Sequence, residues 1–132
     1  MSKHPVIHFE VVSNDAKGLA KFFSDAFGWT CNAHTYPEGA GVQEYVMALP
    51  TGEEMPEGYG INGGFGVAPE GYEGHVTFYI RVDDVEVALK KVESLGGTRM
   101  MGPEQVPGGP TIGLFKDPQG HVIGVVDPDM PE

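Results

Sequence analysis

In the segment Val6-Ile-His-Phe-Glu-Val-Val12 an imidazole and a carboxylate, His8 and Glu10, stand two residues apart. The segment is rich in β-branched and aromatic residues, the composition of a strand. Strand alternation puts His8, Glu10 and Val12 on one face and Ile7, Phe9 and Val11 on the other. A carboxylate near an imidazole favours the imidazolium, and such a pair can move protons near neutral pH. His8 and Glu10 are therefore the expected acid–base pair of an enzyme. A polar pair that only keeps a cavity wet is the alternative, and it stays open. Other chemistries find less support. No serine sits in a nucleophile motif, and Cys31, the only cysteine, has no base beside it in the sequence. The Gly63-Gly64 and Gly108-Gly109 pairs lack the strand–GxxxxGK–helix context of a phosphate loop.

The elements that must position these residues follow from pattern. Ser13-Asn14-Asp15 supplies helix-capping chemistry. Leu19, Ala20, Phe22, Phe23, Ala26 and Phe27 follow at helical spacing, and Gly28 stops the run. Strands are expected over 29–36, 42–49 and 61–67, with a turn at 37–39 and a loop at 50–60. The order then starts again, with a strand over 75–82. Asp83-Asp84 opens a second helix whose apolar face carries Val85, Ala88, Leu89, Val92 and Leu95, and Gly96-Gly97 ends it. Strands are expected over 98–101, 111–115 and 121–126, the last two joined by the turn sequence Asp117-Pro-Gln-Gly120. Residues 103–110 read as a loop.

The two halves superpose at an offset of 69 residues. His8 falls on Thr77, Phe9 on Phe78, Asp15 on Asp84 and Gly28 on Gly97. The spacing from capping Asp to stopping Gly is 13 residues in both copies. A unit of about 65 residues with the order βαβββ is thus used twice. The expected class is α+β, one domain over residues 1–132, made of module 1 at about 5–67 and module 2 at about 74–128. Each module alone is too small to bury a good core.

Composition sets the limits. Leu, Ile, Val and Phe make up about a quarter of the 132 residues, above the roughly 20% below which a charged chain stays disordered. Gly and Pro, 20 and 11 residues, make the chain rich in turns. The net charge of −11 argues against nucleic acid and against an anionic membrane surface, because neither is bound without a basic footprint. No apolar run approaches the ~18 residues of a membrane span, and Met-Ser-Lys-His-Pro has no apolar signal core. A lone cysteine cannot close an internal disulfide, which fits a cytoplasmic compartment.

The sequence resembles the glyoxalase / bleomycin-resistance / extradiol-dioxygenase superfamily, also called vicinal oxygen chelate. The residues that carry the resemblance are Val6-Ile-His-Phe-Glu, Phe22-Phe23 with Phe27-Gly-Trp29, Tyr79-Ile-Arg-Val-Asp-Asp-Val85, Leu95-Gly-Gly97, Gly102-Pro103, Val106-Pro-Gly-Gly109 and Asp117-Pro-Gln-Gly-His-Val-Ile-Gly124. It looks most like the small proteins related to lactoylglutathione lyase. The resemblance implies two tandem βαβββ modules forming cupped mixed sheets, with helices on the outer face and a small-molecule cavity on the concave side. It also implies a homodimer, since many relatives pair or swap modules. It is specific for fold and weak for reaction, because one scaffold hosts many activities.

Metal-dependent members hold one divalent ion with four side chains, on the first and last strand of each module. Mapped here, those positions are His8, Asn62 or Gly63, Thr77 and Gly124. Only His8 is a strong ligand, against the three or more protein ligands usual for a tightly held catalytic metal. No tightly bound metal is therefore expected. The alternative set, for Zn, Ni, Mn or Fe, is His8, His75 and Glu10, because His75 shares a strand face with Thr77.

On this frame Thr77, Tyr79 and Arg81 line the second module's share of the cavity. Tyr45 and Met47, with Gln43, and Asn62 complete the candidate substrate wall. Phe9, Val11, Phe78, Ile80 and Val82 are expected to pack beneath Phe23, Phe27 and Leu89. The loops at 51–60 and 102–109 are candidate lids. The expected function is binding of a small organic molecule without a tightly bound metal, with proton transfer by His8 and Glu10 if the protein is an enzyme. A metal-dependent lyase or dioxygenase, and a drug-sequestering protein of the bleomycin-resistance type, are the alternatives.

Overall fold

A computed structural model of the chain describes residues 3–35, 44–50 and 60–128. The expected turn at 37–39, the candidate Gln43 and all but the last residue of the candidate lid at 51–60 lie outside the described residues. The elements run β1 (Val6–Ser13), α1 (Ala16–Phe27), β2 (Thr30–Thr35), β3 (Glu44–Leu49), β4 (Gly63–Val67), β5 (His75–Arg81), α2 (Val85–Ser94), β6 (Thr98–Gln105), β7 (Thr111–Lys116) and β8 (Val122–Asp127). This is the βαβββ order used twice.

Both helices start where aspartate can satisfy an orphan backbone donor. The Asp15 carboxylate accepts the Gly18 N–H at 2.9 Å, and Asp84 accepts the Val87 N–H at 3.0 Å. Gly28 closes α1 in the left-handed region at φ 74°, its N–H reaching Ser24 O at 2.8 Å. A left-handed cap of this kind favours glycine.

The chain forms two compact units, one of residues 8–76 and one of residues 1–7 with 77–132. The first has strand order β2-β3-β4-β1 and the second β5-β8-β7-β6. In each, the first strand of the module lies parallel to the last, β1 against β4 and β5 against β8. The other pairs are antiparallel. The repeat read from the sequence is therefore a repeat of pairing as well as of element order.

Each helix packs on one face of its own unit's sheet, α1 over β2, β3 and β4 and α2 over β6, β7 and β8. Ala16 and Ala20 of α1 meet Val46, Ala48 and Phe65 of the strands, with Phe9, Val11, Phe23 and Trp29 packed against them. Val85 and Leu89 of α2 meet Val82, Phe115 and Val125, with Ile80 and Ile123 alongside. Three expectations are corrected. Phe27 shares the Ala16–Ala20 face but sits in the last turn and is 66% exposed. Leu95 lies at the C-cap of α2, where the chain turns away, and is 70% exposed. Phe78 is 38% exposed, because α2 packs over β6, β7 and β8 and β5 adds only its last residues to that core. β6 also runs to Gln105 through register shifts that follow Arg99 and Met101. Residues 102–105 are thus strand rather than lid.

Candidate functional site

The face of the first unit turned away from α1 is built from the alternate residues of its strands. β1 supplies His8, Glu10 and Val12, and β3 supplies Tyr45, Met47 and Leu49. Between them lies β4, with Gly64 beside Glu10 and Met47, and Gly66 beside Val12 and Tyr45. A β-carbon on Gly64 would overlap the ring of Tyr45, whereas one on Gly66 would meet Val12 and Tyr45 at an ordinary 3.5–3.7 Å. Tyr45 therefore lies across β4 over Gly64, where the strand has no side chain. It ends in a hydrogen bond of 2.9 Å between its hydroxyl and His8 Nε2. The two rings are close to parallel, at an interplanar angle of 22°.

This changes the chemistry expected of His8. Burial pushes its imidazole below the ordinary value of 6.5, opposite to the direction a neighbouring carboxylate alone would impose. The neutral ring is the form present at neutral pH. Its bonded partner is the phenol of Tyr45, the candidate residue of the substrate wall. The signal that pairs them is the alternation Gly64-Phe65-Gly66, which clears one face of β4 for a ring from the next strand.

Glu10 and Met47 are half-buried and share the phase of His8 and Tyr45. Asn62 precedes β4, is exposed, and accepts the Phe9 N–H on its backbone carbonyl at 3.4 Å. Gly63 belongs to the helix side, since a β-carbon there would overlap Phe9. His75 takes a hydrogen bond between Nδ1 and the Tyr72 hydroxyl at 2.6 Å. Its Nε2 is shielded and has no partner, and burial lowers its pKa. In the second unit Thr77 is buried and donates its hydroxyl to Val122 O at 2.6 Å. Tyr79 is buried beside Gly124, its strand partner. Arg81 lies 3.9 Å from Asp83.

These residues do not fit the four-ligand centre that the resemblance implies. The Thr77 hydroxyl is committed to a backbone carbonyl, and a β-carbon on Gly124 would meet the Tyr79 ring at 2.5 Å. Among the described residues no three His, Cys, Asp or Glu side chains form a group able to hold a metal ion, so His8, His75 and Glu10 are not such a group.

A shallow, open groove of about 300 Å³ lies elsewhere, on the helix side of the first unit, lined by Lys17, Lys21, Ser24, Asp25 and Cys31. Its lysines are matched by Glu44 at 3.0 Å and Asp25 at 2.6 Å. The Cys31 thiol contacts Ala20 O at 3.7 Å and is pushed up in pKa by burial, which opposes thiolate reactivity.

Residues 6–125 match the family described as the Glyoxalase/Bleomycin resistance protein/Dioxygenase superfamily. CFP32 of Mycobacterium tuberculosis, a glyoxylase in name, is 31% identical over 122 residues, which cover 88% of this chain and 42% of that protein. The anthracycline biosynthesis protein DnrV of Streptomyces peucetius is 28% identical, over 89% of this chain and 44% of that one. The chain thus spans less than half the length of these relatives. Among solved structures, a methylmalonyl-CoA epimerase is similar with a TM-score of 0.68 at 17% identity, covering 98% of this chain and 99% of that one. An epimerase bound to methylmalonyl-CoA and ammonium gives 0.65 at 16%, covering 99% of both chains. At such identity the likeness is one of fold.

Proposed function

We propose that this chain, which belongs to the glyoxalase/bleomycin resistance protein/dioxygenase superfamily, binds a small carbonyl compound against the His8–Tyr45 face and moves a proton on it without a tightly held metal. The observation that carries the proposal is the 2.9 Å bond between His8 Nε2 and the Tyr45 hydroxyl. A neutral imidazole can accept a proton near pH 7. In the tautomer that carries its hydrogen on Nδ1, Nε2 accepts from the phenol. The phenolic oxygen then keeps lone pairs for a carbon-bound proton next to a carbonyl. As that proton transfers to Tyr45 Oη, the phenolic proton passes to His8 Nε2, leaving an enolate and an imidazolium. Return of both protons completes an exchange or an epimerisation. Glu10 is two residues along on the same strand face, and its carboxylate is assigned the role of favouring the imidazolium as it forms.

The test is solvent deuterium incorporation at the α-carbon of simple ketones and thioesters, followed by proton NMR. Protein treated with chelator should retain the activity, and His8→Ala and Tyr45→Phe should each lose it. Loss of activity with the chelator, restored by a divalent ion, would overturn the metal-free reading. Full activity in His8→Ala would remove the imidazole from the mechanism.

A further inference from the structure

We infer that the ligand of this site carries no phosphate: the chain takes a carbonyl compound without one and rejects phosphorylated esters. The inference rests on the site proposed above and deepens it by naming a ligand class.

A phosphate is held by Arg or Lys, or by backbone N–H groups converging at a helix N-terminus or a turn. All eight cationic side chains of the chain lie among the described residues, so each can be placed. None is on β1, β2, β3 or β4, the strands that build the His8–Tyr45 face. Lys17 and Lys21 are on α1 and answer to Glu44 and Asp25. Arg99 is held by Glu86 at 2.5 Å and Glu93 at 3.0 Å. Arg81 lies beside Asp83. Lys90 and Lys91 are exposed on α2, Lys116 is exposed at the end of β7, and Lys3 precedes β1.

Among the described residues, both helix N-termini and the turn after β7 are closed in the same way. The N-terminus of α1 is filled by the Asp15 carboxylate and that of α2 by Asp84. The turn after β7 converges the N–H groups of Gln119 and His121 on Asp117 Oδ1, at 2.9 and 3.0 Å. At each of these three places the anion is supplied by the chain itself. The net charge of −11 adds long-range repulsion for any polyanion. The methylmalonyl-CoA of the bound epimerase named above is such a polyanion, and no Lys or Arg stands on the strands of the His8–Tyr45 face to receive its phosphates.

The experiment compares two esters of one acyl group, a coenzyme A thioester and the uncharged N-acetylcysteamine thioester. Binding is titrated at low salt by NMR on the full chain, read at the His8 and Tyr45 ring signals. The uncharged ester should bind at least about tenfold more tightly, a factor worth about 1.4 kcal/mol. Free coenzyme A and inorganic pyrophosphate should leave both signals in place. A coenzyme A ester that binds as well as or better than the uncharged one, and weakens steeply with salt, would overturn the inference and leave the site standing. If neither ester moves His8 or Tyr45, the proposed site falls and this inference with it.

Discussion

The ring of Tyr45 occupies the space into which a side chain on Gly64 would project. Gly64 is thus the opening through which β3 reaches β1, and the hydrogen bond between Tyr45 and His8 depends on a residue that takes no part in it. The second unit repeats the relationship with different strands, Tyr79 of β5 lying against Gly124 of β8.

Gly64→Ala should separate Tyr45 from His8. A β-carbon inserted into a filled space costs about 1–3 kcal/mol, and urea denaturation should show a loss of that size. Gly66→Ala, whose added carbon meets only ordinary contacts, should leave stability within about 1 kcal/mol of the parent. Equal losses in the two variants would show that Tyr45 is not seated as described.

Tyr45→Phe removes one hydroxyl and leaves His8 Nε2 without the partner it has at 2.9 Å. The expected loss of stability is about 1 kcal/mol. The loss of proton-exchange activity should be larger, about 10²–10⁴-fold. Nitrogen-15 NMR of the imidazole should register a changed tautomer balance. Unchanged nitrogen shifts would show that the phenol does not govern His8.

Acidification should destabilise the fold below about pH 6.5. His8 and His75 both have folded pKa values lowered from 6.5 by burial. The unfolded chain therefore takes up protons first as the pH falls. Their contribution is whole above the unfolded value and is lost as the pH drops through the folded values. Urea midpoints measured from pH 7.5 to 5 should fall for the parent and flatten in His8→Gln and His75→Gln. A parent profile with no slope in that window would contradict the burial of both rings.

Gly124→Glu places a carboxylate at one of the four positions that the resemblance assigns to a metal ligand, yet it should not produce a metal site. The new side chain would meet the Tyr79 ring, and Thr77 keeps its hydroxyl on Val122 O. Elemental analysis after dialysis against Ni, Zn, Mn or Fe(II) should give well under one ion per chain for both parent and variant. One ion per chain in the variant would mean that the ring moves aside and that the carboxylate was the missing ligand.

The sequence by itself determined the two modules, their capped helices and the phase of the first strand. These are set by local chemistry: aspartate before an apolar helical run, glycine after it, and strict alternation along β1. His8 and Glu10 could be placed on one face because the period of a strand is two residues. Only the tertiary structure decided what His8 touches. Tyr45 is 37 residues away, and their meeting depends on the register of β1, β3 and β4 together with a gap at Gly64. The glycine is legible in the sequence, but the long-range register that sets it between Tyr45 and His8 is not written in local pattern. The exposure of Phe27, Phe78 and Leu95 was hidden for the same reason. Apolar periodicity marks the face of an element, and only packing decides how much of that face another element covers.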